Sequence, residues 1–239
     1  TFIFNADDAT LTGEIEKRRL PAAMLPVSLK TGQAPGGFLS EGKLNFRIPG
    51  RIENYEIALS DLPVKGPHNY LNVMCAVLAA LQAGASTESI TGALGTFQNA
   101  PHRLEKVATI RGVEYVNDSK ATNVDSVYYA LQSFDSPIIL LLGGVDKGND
   151  YSAIKELVAG KVKGVVALGR DNAKLEAYFK DLTPAFFSTD DLDRAIAKAS
   201  EWAVPGDVVL LSPACASFDL FKNYEDRGNR FREATLKLA

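Results

Sequence analysis

Apolar positions along the 239-residue chain change rhythm near residue 107. Downstream, short apolar runs alternate with stretches of helical periodicity, the pattern of a βαβ array. The runs predict strands over Gly112–Asn117, Ile138–Leu142, Gly164–Leu168, Ala185–Phe187 and Val208–Ser212. Helical periodicity falls over Val124–Phe134, Ser152–Ala159, Asn172–Lys180, Leu192–Ala203 and Arg227–Lys237. Central runs such as "PIILLLGG" and "DVVLLSP" carry no polar alternation, as expected of strands in a parallel sheet covered by helices on both faces. Residues 107–239 are therefore expected to form a doubly wound, Rossmann-like α/β domain.

Upstream the pattern differs. "GGFLSEGKLNFRI" places Leu44, Phe46 and Ile48 on one face and Lys43, Asn45 and Arg47 on the other, around a Glu41-Gly42 turn, which reads as a hairpin with one wet face. "GPHNYLNVMCAVLAALQAGA" and "STESITGALGTF" read as two helices, the second with a Ser/Thr start. A strand, a small meander and two helices make a poor independent core, and "TFIFNADD" begins inside an apolar run without an initiator Met. Residues 1–100 are thus read as the remainder of a domain whose first half lies upstream. "FQNAPHRLEK" reads as the hinge, because Pro101 interrupts helical continuation.

Composition narrows the class. With 46% hydrophobic and 23% charged residues the chain is globular in character. A net charge of −3 with scattered basic residues leaves no electrostatic footprint for nucleic acid. No apolar run reaches the ~20 residues a membrane span requires, so no membrane partner is expected. Cys75 and Cys215 have neither disulfide nor metal-ligand spacing and read as buried thiols, which fits the cytoplasm.

In open α/β sheets ligands bind beyond the carboxyl ends of the strands, so the segments following the apolar runs are the place to look for chemistry. "NDSKATN" supplies Asp118, able to accept hydrogen bonds from both hydroxyls of a ribose, and Lys120, a charge for a phosphate or carboxylate. The same residues suit a plain strand-to-helix turn in which Asp118 or Asn123 caps the next helix. In "LLGGVDKGNDYS" Gly143 and Gly144 permit a tight turn and Lys147 projects over the rim, or else the loop is a solvated one capped by Asp150 or Ser152. No P-loop spacing occurs in the chain. In "LLSPACASFDLFKNYEDRG" the small residues Ala214, Cys215, Ala216 and Ser217 allow a ligand close to the backbone, or equally close helix-on-sheet packing. A nucleophilic Cys215 would need a nearby His, and both His68 and His102 are assigned to the first region. Asn69 and Asn72 fall on one face of a starting helix and Arg103 follows at the hinge, an apt set for adenine recognition and stacking, though polar helix starts also serve as caps.

Taken together, "GPHNYLN", "PHRLE", "NDSKATN", "LLGGVDKG" and "LLSPACASFDLFKNYEDRG" resemble, in order and spacing, the Mur ligase family of peptidoglycan synthesis, and the last motif resembles its D-glutamate-adding branch. The resemblance implies that residues 1–100 are the end of a central ATP-binding domain and residues 107–239 an amino-acid-binding domain. It implies an ATP-dependent ligase that activates UDP-N-acetylmuramoyl-L-alanine as an acyl phosphate, which D-glutamate then attacks. A monomer acting in the cytoplasm is implied, with Mg held mainly by sequence preceding this chain, which alone is expected to be inactive. Carried over by motif, Asn69, Asn72, Arg103 and Asp118 correspond to the ATP site and Lys120 to the catalytic residue near the phosphates. Thr122, Lys147, Ser217, Phe218 and Tyr224 correspond to the D-glutamate site. Two other readings stay open: a folyl-polyglutamate-synthetase-like ligase, and a non-catalytic nucleotide-binding Rossmann module. The absence of a G-x-G-x-x-G after the first strand of the second half counts against the latter.

Overall fold

The structure is a computed structural model that describes residues 1–18, 20–30, 32 and 35–238. The chain divides into two compact units, Thr1–Gln98 and Asn99–Ala239.

The first unit holds a five-stranded sheet in the order β1-β2-β3-β4-β5. β1 (Phe2–Asn5), β2 (Met24–Ser28) and β3 (Gly36–Ser40) run parallel, while β4 (Lys43–Ile48) and β5 (Ile52–Ala58) continue antiparallel. The expected hairpin is β3–β4: Ser40 pairs with Lys43, and Glu41 and Gly42 both take positive φ, +51° and +73°, the two-residue turn whose twist matches the strands. One detail differs from the sequence reading. Asn45 is buried rather than wet, its Nδ2 donating to the Lys43 carbonyl at 3.0 Å. Helix α1 (Ala9–Arg18) links β1 to β2 and buries no residue, which is why no periodicity announced it. Helix α2 (Pro67–Gln82) starts with Pro at its first turn and packs Val73, Met74, Val77, Leu78 and Leu81 into the core, followed by α3 (Thr87–Thr96), capped by Ser86.

The second unit is built on a six-stranded sheet in the order β10-β9-β8-β11-β7-β6. β7 (Val113–Asn117), β8 (Ile138–Gly143), β9 (Val162–Leu168), β10 (Ala185–Thr189) and β11 (Val208–Ala214) are parallel, and β6 (Glu105–Ile110) is an antiparallel edge. Continuously apolar strands serve two faces at once. Val116, Leu140, Val165 and Leu210 pack against α4 (Val124–Gln132), α5 (Lys155–Lys161) and α6 (Ala173–Phe179) on one side. Tyr115, Ile139, Val166 and Leu211 pack against α7 (Leu192–Trp202) and α8 (Tyr224–Leu236) on the other. This is the doubly wound layout. Each fully buried Val, Leu or Ile contributes roughly 1.5–3 kcal/mol, so the two layers dominate the unit's stability.

The boundary between the units, Gln98/Asn99, falls inside the "FQNAPHRLEK" segment read as the hinge. The end of that segment already belongs to β6, with Glu105 paired to Asn117, and a bulge between Lys106 and Ala108 breaks the period-2 pattern that would reveal the strand. The structure moves His102 from the first region to the second unit, where the ring is buried against α8. Among the described residues no helix is long and apolar enough to cross a membrane.

Gly228 of α8 lies under that imidazole: a Cβ there would collide with His102 Nδ1. Gly228→Ala should therefore destabilise the unit by roughly 1–3 kcal/mol despite the better helix propensity of Ala. Gly160→Ala, at a helical position with open space around it, should be neutral or stabilise by up to about 1 kcal/mol. Denaturant unfolding of both variants checks the pair, and an equal effect from the two would refute the packing role of Gly228.

Candidate active site

The carboxyl ends of β7, β8 and β11 carry the loops 118–123, 144–151 and 215–223. Strand ends leave carbonyls without ladder partners, and those at this rim meet one buried side chain. Arg227, in the first turn of α8, is 1% exposed. Its Nε donates to Ser119 Oγ at 2.9 Å, Nη2 to the Ser119 and Cys215 carbonyls at 2.8 and 3.2 Å, and Nη1 to the Cys215 and Gly143 carbonyls at 3.2 and 3.4 Å. No carboxylate lies within ion-pair distance among the described residues, and burial pulls its pKa down to about 10. One guanidinium thus ties three loops together.

The loops are also joined directly. Val145 bridges to Ala216, its amide donating to the Ala216 carbonyl at 2.8 Å. Gly143 and Gly144 take φ of +128° and +125°, and a Cβ on either would strike the backbone of Leu168 or Ala216. Asn149 Nδ2 reaches the Ala214 carbonyl at 3.1 Å. Ser119 Oγ donates to the Tyr224 carbonyl at 2.8 Å.

Asp118 is 6% exposed, accepting from Ser212 Oγ at 2.8 Å and from the Leu104 amide at 3.2 Å. Burial pushes its pKa up to about 7, against the opposing pull of Ser212, the Leu104 amide and the Arg103 charge. It does not cap the next helix; Asn123 does, accepting from the Ser126 amide at 2.8 Å. Lys120 is half-buried, its Nζ 2.9 Å from the Tyr224 hydroxyl and 4.6 Å from that ring's centroid. Thr122 is half-buried on the same loop. Across the rim, Lys147 is exposed, Ser217 is buried and Phe218 is 70% exposed. Arg103 is exposed beside β6. Asn69 is half-buried and Asn72 exposed on the opening turns of α2, in the first unit, with Asn69 Nδ2 donating to the Lys65 carbonyl at 2.8 Å. The second unit's rim thus brings Asp118, Lys120, Thr122, Lys147, Ser217, Phe218 and Tyr224 onto loops fastened to one another.

Sequence reasoning assigned nothing to Arg227, His102 or Asn117. Asn117 Nδ2 lies 2.9 Å from His102 Nδ1 and 3.1 Å from Glu105 Oε2, and Arg232 closes the network on Glu105 at 2.6 Å. A signal for Arg227 did exist: it stands four and seven residues before the buried Phe231 and Ala234, on the apolar face of α8. Cys215 is buried, and burial pushes its thiol pKa up, so it is an inert neighbour of Tyr151. Cys75 is only half-buried, short of the expected burial.

A family model described as "Mur ligase, glutamate ligase domain" matches residues 102–215, the stretch that runs from His102 through all but the last of these loops. Residues 102–215 form a Mur ligase C-terminal domain. The UDP-N-acetylmuramoylalanine--D-glutamate ligases of Cytophaga hutchinsonii and Porphyromonas gingivalis are 44% and 42% identical to it, over 100% and 99% of this chain and 53% of each relative. The chain spans about half the length of the curated relatives it matches. The fold is shared with MurF of Acinetobacter baumannii, at TM-score 0.68 and 19% identity over 97% of this chain and 51% of that one. It is shared too with the UDP-N-acetylmuramate-alanine ligase MurC of Thermotoga maritima, at TM-score 0.66 and 16% identity over 99% and 52%.

The buried Asp118 makes stability pH-dependent. Its folded pKa lies above the ordinary 3.8, so its contribution is fully present below that value and is lost as pH rises through about 7. Asp118→Asn removes this dependence. The stability of the variant minus that of the native chain should grow between about pH 4 and 7 and level off above, by roughly 4 kcal/mol at most. A difference that stays flat from pH 4 to 8 in denaturant titrations would contradict the burial argument.

Proposed function

We propose that this chain forms the amino-acid-adding half of an ATP-dependent ligase that joins D-glutamate to UDP-N-acetylmuramoyl-L-alanine through an acyl phosphate. The observation that carries this reading is the rim itself: Lys147, a cation with no ion pair among the described residues, stands on a loop bridged to the one carrying Ser217. A dicarboxylate amino acid needs a cation and neutral donors fixed on one surface, and charge-assisted hydrogen bonds supply most of its affinity. The relatives' names and their identity across the whole length of this chain support D-glutamate as that amino acid.

In this reading Lys147 and Thr122 hold the carboxylates, Ser217 donates beside them, and Phe218 and Tyr224 shape the mouth. Lys120, held by the Tyr224 hydroxyl, faces charge developing at the acyl phosphate. Asp118 and Arg103, both in the second unit, serve ATP, Asp118 as the acceptor for its ribose. Because the loop of residues 118–123 carries both Asp118 and Thr122, it touches both substrates and couples their binding. Among the described residues no three His, Cys, Asp or Glu side chains converge to hold a metal, and no step here is routed through one. The protein acts as a cytoplasmic monomer in this reading.

The test uses the full-length enzyme that contains this chain. Lys147→Ala should raise KM for D-glutamate roughly ten- to a hundredfold, the cost of one charge-assisted hydrogen bond, while KM for ATP stays within a few-fold. Asp118→Asn should do the reverse, raising KM for ATP, and binding titrations should accompany the kinetics because KM need not equal Kd. Equal weakening of both substrates by Lys147→Ala would defeat the assignment, and turnover with a pteridine-glutamate acceptor in place of the UDP-sugar would favour the folyl-polyglutamate reading.

A further inference from the structure

Lys147 sits in the loop "VDKGND", and the residue before it gathers more hydrogen bonds than any turn requires. Asp146 Oδ1 accepts the amides of Gly148 at 2.6 Å and Asn149 at 2.9 Å, closing the backbone around Lys147. Its Oδ2 accepts the Tyr151 hydroxyl at 3.0 Å. The Lys174 ammonium, from α6, lies 3.2 Å from either carboxylate oxygen and donates to the Asn149 carbonyl at 2.7 Å. Burial alone would raise the Asp146 pKa, yet these donors hold it below the usual carboxylate value, so the arrangement persists at neutral pH.

The anchor is rigid at its far end. Tyr151 is 1% exposed and packs edge-on against Phe179, 5.3 Å between centroids. Asn149 Nδ2, besides reaching the Ala214 carbonyl, lies 3.3 Å from the Tyr151 hydroxyl. A carboxylate next to a lysine would ordinarily be the first partner that lysine finds. Here Lys174 satisfies the Asp146 charge from the opposite element, and Lys147 enters no ion pair among the described residues.

We propose that Asp146 is a positioning residue for the amino-acid substrate, fixing the loop that presents Lys147, and that Lys174 neutralises Asp146 so that Lys147 remains available to a substrate carboxylate. The proposal rests on the assignment of Lys147 to D-glutamate. A cation held on a fixed backbone loses less conformational freedom on binding than one on a mobile loop, and misplacement of a binding group by an ångström is enough to matter.

The experiment is a mutant cycle in the full-length enzyme, reading KM for D-glutamate and for ATP separately. Asp146→Ala should raise KM for D-glutamate on the order of tenfold, the scale typical of losing an orienting neighbour, and leave KM for ATP unchanged. Asp146→Asn keeps the acceptor for the two amides but not the charge, and should fall between Asp146→Ala and the native enzyme. Lys174→Ala should shift the same KM in the same direction, and Lys174→Arg should restore it. In a Lys147→Ala background, Asp146→Ala should add nothing further, because its effect runs through Lys147. Unfolding midpoints of each variant separate this from loss of fold. A normal D-glutamate KM in Asp146→Ala, or an effect of Asp146→Ala that persists in full without Lys147, overturns the positioning role alone. An unchanged D-glutamate KM in Lys147→Ala removes the amino-acid assignment, and the inference with it.

Discussion

A buried guanidinium, with no carboxylate within ion-pair distance among the described residues, holds the strand-end rim of the second unit together. Burying a cation is costly unless its donors are satisfied, and Arg227 meets that condition only through carbonyl and hydroxyl oxygens contributed by the ends of three loops. The dependence is mutual: those carbonyls stand at or just beyond the ends of the parallel strands, where the guanidinium donates to them. A planar fork can reach all of them from one side chain, which an ammonium cannot. Removing any one loop from this arrangement would leave both a buried charge and buried carbonyls unpaired, so the loops are fixed as a set rather than individually.

From that constraint the rest of the rim follows. The Gly143–Gly144 pair and the small residues from Ala214 to Ser217 bring two loops close enough for the Val145–Ala216 bridge, and only backbone without bulky side chains can run there. Ser119, gripped by Arg227, carries its neighbours Asp118 and Lys120 into fixed places, one buried toward Ser212 and the other beneath the Tyr224 ring. The loops that carry Lys120, Thr122, Lys147, Ser217 and Phe218 are therefore fixed relative to one another, a preorganised rim of the kind that positioning and electrostatic stabilisation require.

Much of this was legible in the sequence where one physical signal dominated. The unbroken apolar runs of β8 and β11 could only be strands buried on both faces, and Glu41-Gly42 fixed the first hairpin. Signals failed where two requirements overlapped. β6 hid behind a bulge, and α1 buries nothing and so has no apolar stripe. In "NDSKATN" the capping role falls to Asn123, while Asp118 turns inward to Ser212. His102 looked like part of the first region because its φ of +65° and its contacts with Asn117 and α8 depend on residues far along the chain. Arg227 was written in the spacing of α8, but an arginine on an apolar helix face has meaning only once the carbonyls it serves are in place.

The most direct measurement of the central claim is amide hydrogen exchange in Arg227→Lys, which keeps a positive charge but loses the fork. The amides of Asp118, Ala121, Val145 and Phe221, each hydrogen-bonded within or beside one of the three loops, report on the loops separately. If Arg227 binds them as one set, all should lose protection together while Val165 and Val166 in β9 keep theirs. Loss confined to residues 215–223, or protection unchanged throughout, would contradict the account.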